Sequence, residues 1–121
     1  MKRILLVARH NLFRQVLAIM LEQHMDLKEN IQAGSLGEAR RVLTDLGSRV
    51  DLAVVDFDLP DGDATELIEH LRAEDVPVLA LTANPSLDWR ARALRAGASE
   101  VLTMETSSEQ LIDTAKRLVS G

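Results

Sequence analysis

The stretch that most constrains how this chain can fold is residues 51–63, DLAVVDFDLPDGD. Leu52, Ala53, Val54 and Val55 form an unbroken apolar run, and it stops abruptly at Asp56, Asp58, Pro60, Asp61, Gly62 and Asp63. Such a run is a strand buried on both faces, the kind found in parallel sheets covered by helices. A carboxylate is too costly inside it, so Asp56 belongs at the strand's carboxyl end. In open α/β sheets that edge is where sites are built.

The rest of the chain repeats the pattern of strand and helix. Residues 3–8 (RILLVA) make a first continuous apolar strand. Arg9, His10 and Asn11 interrupt it, and Asn11 is placed to cap a helix. Leu12, Phe13, Val16, Leu17, Met20 and Leu21 then follow helical spacing to about His24. Residues 30–33 predict a modest edge strand before Gly34, and Ser35 caps a second helix. Its buried stripe is Leu36, Ala39, Leu43 and Leu46, its wet side Arg40, Arg41 and Asp45, and its stop Gly47. After the central strand, Asp63 begins a third helix with Leu67, Ile68 and Leu71 inward. Residues 77–82 (PVLALT) predict a fourth strand, turned out by Ala83, Asn84, Pro85 and Ser86. A fourth helix presents Leu87, Ala91 and Leu94 to the sheet and closes at Gly97. Residues 100–103 form the fifth strand, and Ser107 or Ser108 opens a last helix with Leu111, Ile112, Ala115, Leu118 and Val119 apolar.

Five alternating pairs with right-handed crossovers predict a doubly wound parallel sheet in the flavodoxin-like order 2-1-3-4-5. The first and third strands are then neighbours, which sets Arg9 beside Asp56. At 121 residues the chain is read as one domain. Its 19 acidic and 14 basic residues give a net charge of −5, without a basic cluster able to track a phosphate backbone. No apolar run approaches the roughly 18 residues of a membrane span, and a soluble cytoplasmic protein is expected. With no cysteine, thiol catalysis and disulfides are excluded.

In order and spacing, ILLVARHNLFRQVL, VVDFDLPDGD, PVLALTAN and AGASEVLTMETSSEQL resemble a response-regulator receiver domain, over essentially the whole chain. HNLFRQVL is similar to the subfamily usually followed by a LuxR-type helix-turn-helix, so any output domain would follow Gly121. The resemblance implies that Asp56 occupies the position that accepts a phosphoryl group from a histidine kinase. It also implies that Asp58 supplies a backbone carbonyl to Mg²⁺ and that Thr82 is the hydroxyl residue ending the fourth strand. Other positions depart from the family. Its metal-binding acidic pair falls on Ala8 and Arg9, its lysine on Met104 with Glu105 in place of proline, and its aromatic switch residue on Val101.

These departures bear on the chemistry. Mg²⁺ wants octahedral oxygen ligands with one or two carboxylates, and Arg9 stands where one should be. The expectation is a degenerate receiver without a resident metal or other cofactor, in which Arg9 pairs with Asp56 in place of the metal. It would act as a non-enzymatic module in phosphorelay signalling, through contacts with a sensor kinase, an output domain or a second copy. Trp89 and Arg92, placed on the outer side of the fourth helix, are interface candidates for a homodimer through that helix, the fifth strand and the last helix. One alternative keeps Asp56 as a working phosphoacceptor. A remote one reads Asp56-Phe57-Asp58 as the D-x-D motif of a haloacid-dehalogenase-like phosphatase. More ordinary roles are also open: Asp58, Asp61 and Asp63 as turn and helix-start residues, Thr82 as a strand end, and His10 as helix entry.

Overall fold

The computed structural model describes residues 2–46, 50–83 and 87–120. Strand and helix alternate throughout: β1 (Lys2–Val7), α1 (Asn11–His24), β2 (Leu27–Ala33), α2 (Leu36–Leu46), β3 (Leu52–Asp56), α3 (Thr65–Ala73), β4 (Val78–Thr82), α4 (Leu87–Ala96), β5 (Glu100–Thr103) and α5 (Ser108–Ser120). The strands pair in parallel in the order β2-β1-β3-β4-β5, as the doubly wound pattern predicts. Between β3 and α3, Asp58–Leu59 and Gly62–Asp63 form a small antiparallel hairpin. Gly62 has φ 139°, a conformation that favours glycine.

The strands' two-residue period sorts the core into two layers. Leu5, Val7, Ala53, Val55 and Phe57 pack under α2, α3 and α4 with Ala39, Leu67, Ile68, Leu71, Ala93 and Ala96. Ile4, Leu6, Leu52, Val54, Leu79 and Leu81 face Leu17, Ala18 and Leu21 of α1 and Leu111, Ile112 and Ala115 of α5. Every residue of β3 and β4 is buried, which accounts for their continuous apolar runs.

Several local expectations need correction. β2 starts at Leu27, three residues before the expected start; it is polar because it is an edge strand with partial exposure. Asn11 is already helical. His10 holds the N-cap position without a side-chain bond, and Asn11 Oδ1 accepts from Arg14 and Gln15 instead. On α1, Leu12 and Val16 point to solvent. α3 begins at Thr65, with Asp63 Oδ1 accepting its N–H at 3.0 Å. On α4 the inward residues are Ala93 and Ala96, whereas Leu94 is exposed and Ala91 half-buried. The side chains of Leu46 and Leu87, the stop at Gly47 and the turn residues Asn84, Pro85 and Ser86 lie outside the described residues.

Ser35 does cap α2, its Oγ accepting the Glu38 N–H at 3.1 Å, and Ser107 Oγ does the same for Gln110 at 3.2 Å. Gly97 closes α4 with φ 120°, where a Cβ would run into the Arg72 side chain.

Candidate functional site

The carboxyl ends of β1, β3, β4 and β5 bring Ala8, Asp56, Thr82 and Met104 to one edge of the sheet. Val7 pairs with Val55, so the chain leaves β1 at Ala8 alongside the last residue of β3. On the other side Asp56 is opposite Leu81, and Thr82 is opposite Thr103. The Thr82 carbonyl accepts the Met104 N–H at 3.0 Å, which ties the ends of β4 and β5 together. Met104 and Thr103 are half-buried. Val101 lies within β5 and is buried in the α2–α4 layer, and its carbonyl accepts from Arg90 at 3.3 Å.

Asp56 is only 3% exposed. Its Oδ1 accepts the Asp58 N–H at 3.2 Å. Burial pushes its carboxyl above the ordinary value, and the nearby Asp58 carboxylate adds to this. The Asp58 N–H bond and the charges of His10 and Arg9 pull the other way without reversing it.

The expected pairing of Arg9 with Asp56 is not formed. The Arg9 guanidinium instead lies 3.7 Å from Asp58 Oδ2, with both side chains well exposed. Asp56 is recessed at the strand end, whereas Arg9 lies two residues beyond the last paired residue of β1 and meets the hairpin's exposed carboxylate. At that distance and exposure the ion pair is weak, yet it places a cation at the mouth of the site.

Arg14 of α1 carries no distinguishing signal in the sequence. It turns inward, where Nη1 donates to the Ala8 carbonyl at 2.6 Å, Nε to Gln32 Oε1 at 3.1 Å and Nη2 to Asn11 Oδ1 at 2.8 Å. It thereby pins the segment leaving β1. Asp61, read as turn chemistry, also does more: Oδ1 and Oδ2 accept the Leu36 and Gly37 N–H groups at 2.9 and 3.0 Å. The bonds hold its carboxyl below the usual range and fasten the acidic loop to the start of α2.

Trp89 is not on the outer side of α4. Its ring meets Phe57 edge to face, with centroids 5.1 Å apart at 80°, and packs against the core. The Arg92 guanidinium lies 5.1 Å from the Trp89 ring and 5.6 Å from Phe57, while Nη2 contacts Asp63 Oδ2 at 2.6 Å. The hydrogen bond from the Thr65 N–H and the Arg92 contact hold Asp63 below the usual carboxylate range. Phe57 thus joins the end of β3, where Asp56 sits, to α4. Its one sequence signal was an aromatic residue continuing the inward period of β3 past the strand end.

The raised carboxyl of Asp56 has a consequence for stability. Below the ordinary value near 3.8 it is protonated both folded and unfolded, and its contribution is fully present. As pH rises through the higher folded value, that contribution is lost. Asp56→Asn, which can still accept the Asp58 N–H, is therefore expected to melt higher than the parent at pH 7. The gain should vanish in thermal melts below the ordinary carboxylate value.

A model of the response regulator receiver domain matches residues 4–116. The chain belongs to that family. PhoB of Escherichia coli K12, the phosphate regulon transcriptional regulatory protein, is 30% identical over 122 residues, 98% of this receiver and 52% of PhoB. DevR/DosR of Mycobacterium tuberculosis, a DNA-binding transcriptional activator, is 32% identical over 123 residues, 100% of this receiver and 56% of that protein. The chain spans about half the length of these curated relatives. Among solved structures, the beryllofluoride-activated NtrC4 receiver domain dimer superposes with a TM-score of 0.85 at 28% identity, covering 99% of this receiver and 98% of that chain. The receiver assignment replaces the haloacid-dehalogenase reading of Asp56-Phe57-Asp58, because this D-x-D ends the third strand of a receiver sheet.

Proposed function

We propose that this receiver is an atypical, non-enzymatic module of two-component signalling, cytoplasmic, with phosphoryl acceptance at Asp56 lost or impaired and output carried by protein contacts. The observation that carries the reading is the cation at the mouth of the site, Arg9 at 3.7 Å from Asp58. Accepting a phosphoryl group on a carboxylate concentrates negative charge, which a divalent ion ordinarily offsets. The donors here do not suit Mg²⁺. Asp56 is buried with a raised carboxyl, and Ala8 brings no oxygen from its side chain. Met104 supplies no charge where the family has lysine.

The module's partners would be a sensor kinase, an output domain or a second copy. The homotypic contact we favour uses the α4, β5 and α5 face; that a receiver can pair with itself is supported by the NtrC4 receiver domain, which is a dimer when activated with beryllofluoride. There Arg92, with 43% of its side chain exposed, offers more to a partner than the half-buried Trp89. No helix among the described residues is long and apolar enough to cross a membrane.

Trp89 is the chain's one tryptophan and touches Phe57, next to Asp56, so its fluorescence reports on the site. Titrating Mg²⁺ and then beryllofluoride should leave it flat through the millimolar range. Saturable binding would overturn the reading.

A further inference from the structure

Helix α1 carries an apolar stripe that the fold leaves uncovered. Its inner side delivers Leu17, Ala18 and Leu21 to the core. Leu12, Val16 and Ile19 stay 75%, 46% and 54% exposed. Among the described residues the other exposed large hydrophobic is Leu94, which stands by itself on α4. Separations of four and three residues stack the three side chains along one side of the helix, over roughly 10 Å. Scattered apolar residues on a surface need no explanation, but a row at i, i+4 and i+7 is how one helix seats on another.

We propose that this stripe is a homotypic contact in which α1 pairs antiparallel with α1 of a second copy of the chain. Charge selects the occupant and the direction. The start of the helix is basic, with Arg9 and His10 exposed and Arg9 engaged only by the weak, solvent-exposed contact to Asp58, and it carries the positive end of the helix dipole. Near its other end Glu22 is exposed, and Asp26 follows in the loop. Arg14 is turned inward to the Ala8 carbonyl and takes no part. On the adjoining α5, Glu109, Asp113 and Lys116 beside His24 mix both signs and favour neither direction.

Setting Leu12 against Ile19 of the partner subunit brings Arg9 level with Glu22 of the partner subunit, and a two-fold axis repeats the match. A parallel pair would instead oppose Arg9 to itself and Glu22 to itself. The surface is therefore self-complementary in one orientation only. It is separate from the α4, β5 and α5 face, and it stands whether or not Asp56 accepts a phosphoryl group.

The chain has no cysteine, so single introduced cysteines report the geometry directly. Under mild oxidation Val16→Cys, near the axis, should cross-link roughly tenfold or more faster than Arg41→Cys, an exposed control on α2, because pairing raises the local thiol concentration. Leu12→Cys should link poorly to itself but readily to Ile19→Cys in a mixture of the two. Adding Glu22→Lys to Val16→Cys should slow the link, while adding Arg92→Asp on α4 should not. These sites are exposed, and circular dichroism melts would show that each variant folds. Equal rates for Val16→Cys and Arg41→Cys overturn the proposal and leave the stripe to another protein. Leu12→Cys linking to itself as fast as the mixture overturns it too.

Discussion

Replacing Ala8 and Arg9 together by aspartate is expected to raise Mg²⁺ affinity about a hundredfold. At an effective dielectric near 20, two unit charges about 4 Å apart interact by roughly 4 kcal/mol, and a divalent ion doubles that. Arg9 is exposed, so solvent and salt screen the repulsion heavily. If roughly a third of it survives, its removal is worth about 2–3 kcal/mol, or two orders of magnitude. The substitution also frees the Asp58 carboxylate from its cation and adds carboxylates beside Asp56. Arg9→Asp alone should recover part of the gain. Met104→Lys alone should recover none, since it adds charge for a phosphoryl group and no ligand for a metal. Isothermal titration of Mg²⁺ into the four proteins reads the order directly. If neither the single nor the double aspartate change alters binding, the metal position has been misplaced.

Phe57→Ala is expected to cost about 3–5 kcal/mol, a large share of the roughly 5–15 kcal/mol that stabilises a domain of this kind. Phe57 is 1% exposed and belongs to the layer under α2, α3 and α4. Its loss removes the edge-to-face partner of Trp89 and one of the two rings beneath Arg92. Urea unfolding would give the stability change. A red-shifted Trp89 emission in the folded baseline would show that the ring has lost its packing. Phe57→Leu, which keeps most of the apolar volume, should cost less and shift the emission less.

The strands were legible because burial on both faces leaves no room for polar residues. The runs in β1, β3 and β4 could therefore be read as continuous segments, and they fixed both the sheet order and the position of Asp56. β2 and α4 were harder for opposite reasons. An edge strand such as β2 tolerates Lys28, Glu29, Asn30 and Gln32, so its polar start reads as loop. In α4 the inward contacts are the small Ala93 and Ala96, and a pattern weighted by large side chains took Leu94 as the buried face instead. That choice turned Trp89 outward by mistake, although Phe57 reaches up from the sheet to meet it.

The site was legible as a set of strand ends but not as a set of partners. Sheet topology puts Arg9 near Asp56. It cannot say that Asp56 is recessed while Asp58 is exposed on a hairpin, and that difference decides which carboxylate Arg9 reaches. The same holds for Asp61, which bonds to N–H groups 24 and 25 residues earlier in the chain. A turn signal describes the local backbone, and the far partner appears only once α2 is folded against the loop.

The central claim is that Asp56 keeps the acceptor position without the surroundings that let it take a phosphoryl group. Incubation with acetyl phosphate and Mg²⁺, followed by intact mass, tests this most directly. The parent chain should keep its unmodified mass. The combined Ala8→Asp, Arg9→Asp and Met104→Lys variant should gain one phosphoryl group, and should lose that gain when Asp56→Asn is added. A parent chain that gains one phosphoryl group, abolished by Asp56→Asn, would contradict the account.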